Sequence, residues 1–289
     1  MSAIGDVLVG GVSLGAVYSV NAIGLSLVYG VSRVFNFAYG VFFTWGAYLA
    51  WVLSARSLHL PFIVTIILSI PVLFGAGWVF ERFLVRPLRW RSDWQMSTMI
   101  STLGLALVLE NVALLVFGPL VKTLPPLFKG SIHFLGLNIM NQNLAMLVIA
   151  IVAMFALDLY LNRTRTGRAM RAVSQDMVGA QIVGSPLNRI FAYAFGASAV
   201  MAGVAGILLA PVYLITPSNG WNPFFKAFVI VVMGGLGSVK GAVLAAFILG
   251  VGEALVSWQF GSVWTLSFWF VALLVVLVIR PNGLFGTWS

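Results

Sequence analysis

Apolar residues run along this chain in long stretches, parted by short segments rich in Gly, Pro and Arg. A helix crossing a hydrocarbon core about 30 Å thick needs roughly 20 apolar residues. The runs and their breakers predict nine segments, at 7–30, 40–53, 61–80, 97–117, 143–161, from Ser185-Pro186 to about Tyr213, 224–239, 241–257 and 265–279. Pro61 and Pro186 stand where proline suits a first helical turn, and Ser185 where serine caps one. The expected fold is all-α: a single polytopic membrane domain over 1–289 with about eight or nine transmembrane helices.

Two interruptions, at 29–40 and 234–241, predict broken or re-entrant segments. Irregular backbone survives at membrane depth only where protein or a water-filled cavity satisfies its polar groups. Asn21, Ser32 and Asn36, at or before the first interruption, are therefore candidate lining residues of a translocation pathway. Ordinary cytoplasmic turns are the alternative. Small residues recur at every fourth position in Ala194, Ser198, Ala202, Gly206 and Ala210, and again in Ala242, Ala246, Gly250 and Ala254. Gly11 and Gly15 form a shorter case. Such stripes predict close helix–helix packing, which drives association where lipid supplies no hydrophobic force.

Composition narrows the class. With 61% hydrophobic and 8% charged residues among 289, the chain has little material for a wetted surface. Cysteine is absent, which leaves no disulfide framework or thiolate site. The first 30 residues carry no Lys or Arg, so the first helix is expected to remain as a span. Arginines gather in 81–95 and 162–189. Placing both loops in the cytoplasm puts twelve cationic residues inside and leaves Arg56, Lys122, Lys129 and Lys226 outside. That bias predicts an outer N-terminus and a cytoplasmic C-terminus. It also accounts for the net charge of +9 without any nucleic-acid partner.

Intramembrane carboxylates suggest function by default. Glu81 and Asp158 lie beside arginines near helix ends, where boundary ion pairs are expected. Glu110 and Glu253 sit deeper and fit either a structural hydrogen bond or a place in the pathway. His59 and His133 fall in predicted outer loops without a metal-ligand cluster.

The segment 162–189 reads as an organised cytoplasmic element. Asp176 is a helix N-cap, Gly184 a C-terminal glycine, and an earlier short helix spans 168–173. Two capped helices exceed what a lipid-held basic loop needs, and they point to docking of a cytoplasmic partner. The small Ala180 is expected on the docking face.

The stretch 24–40 resembles the N-terminal signature of branched-chain amino-acid ABC permeases of the LivH type. Thr166-Gly-Arg-Ala-Met-Arg-Ala-Val-Ser-Gln-Asp176, with Ala180 and Gly184, looks like that family's coupling segment. Gly234-Gly-Leu-Gly-Ser-Val-Lys-Gly-Ala242 and Arg280-Pro-Asn-Gly-Leu-Phe-Gly286 match its C-terminal signatures. Tyr39 departs from it, standing where histidine or another polar residue is expected. The resemblance implies a subunit of a multicomponent importer in the bacterial inner membrane. A second, similar permease would pair with it, two ATPase subunits would dock at Gly167, Arg168, Arg171, Asp176, Ala180 and Gly184, and an extracytoplasmic binding protein would deliver substrate. The sequence contains no G-x-x-x-x-G-K-[ST] phosphate loop, so ATP would be bound on other chains. A self-contained secondary transporter or channel, using Glu110 or Glu253 for ion coupling, is the rival.

Overall fold

The computed structural model describes residues 2–56, 60–126, 128, 130–134 and 137–285. His59, Lys129 and Gly286 lie outside the described residues. The chain begins with α1 (Ser2–Ser32), α2 (Tyr39–Ala50), α3 (Phe62–Phe80), the single turn α4 (Arg86–Leu88) and α5 (Trp94–Phe117). A hairpin of β1 (Ser131–Phe134) and β2 (Leu137–Met140), pairing Ser131 with Met140, leads into α6 (Asn141–Arg163). Then come α7 (Arg165–Gln175), α8 (Met177–Ile182), α9 (Leu187–Leu209), α10 (Trp221–Gly234), α11 (Val239–Phe260) and α12 (Thr265–Ile279). Seven of these stretches are long and apolar enough to cross a membrane. With α2 and α10, all nine apolar segments of the sequence are helical.

Helix α9 forms the centre, and its small residues are the reason. A Cβ on Gly206 would collide with the carbonyl of Phe43, and Gly46 of α2 meets the backbone of Gly203 directly. Only glycine lets two backbones approach so closely. On the other stripe, a Cβ on Gly250 would lie 2.5 Å from Gly15 Cα, and one on Gly11 2.9 Å from Val251 Cα. These glycines zip α1 against α11 in antiparallel fashion. By contrast, α12 buries only Trp269 fully and exposes a face that includes Phe270, Val271, Leu274, Val275 and Val278, as a lipid-facing helix should.

Several boundaries differ from the sequence reading. Pro61 and Pro186 each precede the first helical residue, with ψ of 142° and 84°. Ser185 is not the cap: Pro186 holds that position without a side-chain bond, and the Ser185 N–H donates to the Ala180 carbonyl in α8. α9 stops at Leu209, just ahead of Pro211, which cannot donate to a helix. At the end of α3 the backbone widens into a π turn over Glu81–Val85. Pro87 lies in the next turn and lacks the N–H that a regular ladder requires.

Glu81 pairs with Arg89 at 2.7 Å, and Arg89 also donates to Asn188 Oδ1 at 2.9 Å, fastening α3 to the start of α9. Among the described residues Asp158 forms no such pair. It is exposed, and its neighbours one turn on are Leu161 and Asn162 rather than arginines.

Candidate translocation and coupling site

The break after α1 is set by Arg33, which closes the helix at φ 57°, the left-handed region that non-glycine residues rarely occupy. From there the chain climbs back into the bundle. The Phe37 N–H donates to Thr102 Oγ1 at 3.2 Å, and the Tyr39 hydroxyl donates to the Asn21 carbonyl at 2.5 Å. Asn21 lies eleven residues before Ser32 on the same helix, about 16 Å along its axis. α2 therefore starts inside the bundle. Gly24 clears the space for the Tyr39 hydroxyl.

α10 starts at the same depth. Gly220, just before it, packs against Gly40, and Asn21 Nδ2 donates to the Pro223 carbonyl at 2.9 Å. At 14 residues α10 is about 21 Å long, too short to span a hydrocarbon core alone. Its far end, Gly234, meets Gly241, and the turn between them uses Gly235 and Gly237 at φ 104° and 82°.

Each residue proposed for the pathway has a defined place. Asn21, Ser32 and Asn36 are buried. The Ser32 hydroxyl donates to the Val28 carbonyl at 2.7 Å. Asn36 Oδ1 accepts from the Ala38 N–H at 3.0 Å, shaping the turn into α2. Glu110 Oε2 accepts from Trp221 Nε1 at 2.8 Å, joining α5 to the start of α10. The structure thus brings Asn21, Asn36 and Glu110 around the facing starts of α2 and α10, with Ser32 at the other end of the break.

The cytoplasm-predicted segment forms the capped helix pair. Thr164 Oγ1 accepts from the Gly167 N–H at 3.0 Å, and Asp176 Oδ1 from the Gly179 N–H at 3.0 Å. α8 ends in a Schellman turn: Gly184 sits at φ 86°, and the Ser185 N–H donates to the Ala180 carbonyl at 3.0 Å. Gly167 presses on the backbone of Leu161, which folds α7 against the end of α6. Arg168 and Arg171 are exposed, the latter donating to Asn162 Oδ1. Ala180 faces the protein body and is buried, contrary to its expected place on the docking face. The exposed apolar residues of this turn are Val178, Ile182 and Val183, at 67%, 80% and 81% exposure.

The sequence motifs converge here. Arg33 Nη2 donates to the Ser174 carbonyl at 2.6 Å. Gly30 packs beside Gly237. Leu284 and Phe285 donate to the Met233 and Gly234 carbonyls at 2.8 and 3.1 Å. A cavity of 830 Å³ lies among Tyr29, Arg33, Arg171, Ser174, Leu236 and Pro281.

Midway along α1, at Tyr18, the structure shows what the sequence reading missed. Lys226, expected outside the membrane, is buried in α10, with Nζ 2.6 Å from Glu253 Oε1. The sequence predicts a shorter segment over 224–239 beside the glycine-rich break, with Lys226 on the outer side. Because α10 starts inside the bundle, Lys226 in its second turn and Trp221 at its start are carried inward too. The signal in the sequence was the shortness of the apolar run after Pro217 and Pro223.

Comparisons with known proteins follow the same line. The chain is 33% identical to the high-affinity branched-chain amino acid transport system permease protein LivH of Salmonella typhimurium, covering 96% of this chain and 93% of that one. It is 33% identical to the permease protein LivM of Escherichia coli over 49% of this chain and 33% of LivM. Among solved structures, PsaBC of Streptococcus pneumoniae in complex with Fab aligns over 97% of this chain and 93% of that one, with a TM-score of 0.51 at 13% identity, a likeness of fold. Residues 7–279 match the family described as branched-chain amino acid transport system / permease component, and the chain belongs to that family.

Proposed function

We propose that this chain is one of two transmembrane permeases in an ATP-driven importer of branched-chain or related small amino acids. The second permease is a similar subunit, two ATPase subunits dock from the cytoplasm, and an extracytoplasmic binding protein delivers substrate. The N-terminus lies outside and the C-terminus in the cytoplasm of a bacterial inner membrane. ATP is bound by the partners.

One observation carries this reading: the break after α1 is bonded, through Arg33 and Ser174, to a capped helix pair standing beyond the bundle. Val178, Ile182 and Val183 expose apolar surface on that pair, beside Arg168 and Arg171. A basic segment that presents aliphatic side chains to water suits a protein groove better than headgroups alone. Burying each such side chain is worth about 1.5–3 kcal/mol. Gly167, Asp176, Ala180 and Gly184 set the shape of the pair, so a push from the ATPase moves it as a unit. Arg33 passes that movement to the break. Asn21, Ser32 and Asn36 fix the backbone of the break and of the α10 start, Glu110 holds the Trp221 side chain there, and together these form the wall of the pathway.

Affinity purification of the tagged chain from its native membrane tests this. A second permease and an ATPase subunit should copurify, and Ile182→Asp should shed the ATPase while keeping the permease. Isolation of the chain with neither partner, in active form, would sink the reading.

A further inference from the structure

The buried Lys226–Glu253 pair lies away from the coupling segment and is not used in the mechanism above. Lys226 Nζ also donates to the Tyr18 hydroxyl at 2.8 Å and stands 4.8 and 5.3 Å from the ring centres of Tyr18 and Trp269. Glu253 Oε2 accepts from Trp269 Nε1 at 3.1 Å. Both charges are thus taken out of water and held by aromatic groups. Desolvating two ions costs more than packing apolar residues of similar size, so such a pair is poor evidence of a stabilising role. Intramembrane charges are kept where something passes or binds.

A cavity of 570 Å³ borders this pair, on the side towards the N-terminal end of α1. Its wall is mostly apolar, and into it Tyr213, Asn219, Asn222 and Ser257 join Lys226 and Glu253 as polar groups. A cation, an anion and a set of neutral hydrogen-bonding groups face one space. That set matches a ligand bearing a carboxylate and an ammonium on the same carbon.

We infer that this cavity is a transient binding site for the zwitterionic head of the transported amino acid. The ligand carboxylate takes the place of Glu253 beside Lys226, and its ammonium takes the place of Lys226 beside Glu253 and the Tyr18 ring. Each buried charge keeps an opposite partner throughout, so the ligand enters without leaving an ion unpaired. The inference rests on the functional reading above, since it takes an amino acid as cargo.

The test uses the full complex in nanodiscs, without its binding protein, and radiolabelled L-leucine as probe. Saturable binding is expected for the wild type. Isocaproate, which lacks the ammonium, and isoamylamine, which lacks the carboxylate, should each compete at least roughly tenfold more weakly, as loss of a charged hydrogen bond implies. The double variant Lys226→Met/Glu253→Gln removes both charges at similar volume and should assemble, yet lose leucine binding. A purely structural pair predicts full binding in that variant, and that result would overturn the site. Equal competition by isocaproate would overturn it as well. Binding-protein-dependent uptake by the wild type separates the two levels of the argument. Normal leucine uptake by the double variant removes this site alone, whereas a wild type that imports no amino acid removes the functional reading and the site together.

Discussion

Arg33 holds a left-handed backbone conformation at the end of α1 while its guanidinium donates to the Ser174 carbonyl of α7 at 2.6 Å. The residue closes a membrane helix and clasps the α7–α8 helix pair at once. These two roles separate in a single substitution. Glycine accepts φ 57° without strain, so Arg33→Gly keeps the helix end and removes only the clasp. The variant should assemble and melt at the wild-type temperature. Its ATP hydrolysis should lose stimulation by loaded binding protein, and uptake should fall several-fold. Wild-type uptake would show that the clasp transmits nothing.

The exposed face of α8 can be told from the face that meets the protein. Ala180 is buried, so Ala180→Trp overpacks the contact between α8 and the body, at about 1–3 kcal/mol. Ile182→Asp alters only exposed surface. Both should weaken ATPase binding in a pull-down, but only Ala180→Trp should also lower the melting temperature of the isolated permease pair. An Ile182→Asp variant that binds ATPase normally would place the docking face elsewhere.

Asn36 supplies an acceptor for the Ala38 N–H at the turn into α2. Aspartate can do the same, while leucine cannot, at about 0.5–2 kcal/mol. Asn36→Asp should therefore retain stability where Asn36→Leu loses it. If the break is a wall of the pathway, the added charge of Asn36→Asp should still depress uptake by an assembled complex. Full uptake with aspartate would confine Asn36 to shaping the turn.

Much of this was legible in the sequence, and the exceptions have physical causes. Asp176 and Gly184 announce a capped helix because their chemistry is local: a carboxylate accepting from Gly179, and a residue free to take positive φ. The small-residue stripes also read correctly, since a helix face is fixed by spacing alone. Lys226 did not, because hydropathy cannot tell a helix that begins at the surface from one that begins at the level of Asn21. Ala180 failed for a related reason. A six-residue helix offers too few turns to show which side the rest of the chain will cover. Asn21, Ser32 and Asn36 were marked by their place in an apolar chain, yet the backbone groups they hold appear only in three dimensions.

The glycine contacts make a sharp contrast in stability. Gly46→Val drives a side chain into the Gly203 backbone and should cost about 1–3 kcal/mol or prevent assembly. Gly104→Ala, on α5, has no atom within 4 Å of the added carbon and should be neutral or slightly stabilising. Thermal unfolding of both in detergent checks the pair. Equal melting temperatures would contradict α9 as the packed centre.

The orientation is tested by single cysteines in this cysteine-free chain. Ser131→Cys should react with an impermeant thiol reagent added outside right-side-out vesicles, and Gln175→Cys only after permeabilisation. Outside labelling of Gln175→Cys would invert the topology and remove the coupling role of α7 and α8.

The central claim is that this chain carries solute only as part of an ATP-driven complex. Proteoliposomes holding both permeases and the ATPase subunits, with binding protein and labelled L-leucine on one side and ATP on the other, test it directly. Leucine should accumulate on the ATP side only when the binding protein and hydrolysable ATP are both present, and the chain reconstituted alone should carry none. Accumulation by the chain alone, driven by a sodium or proton gradient without ATP, would contradict the account and establish a self-contained carrier.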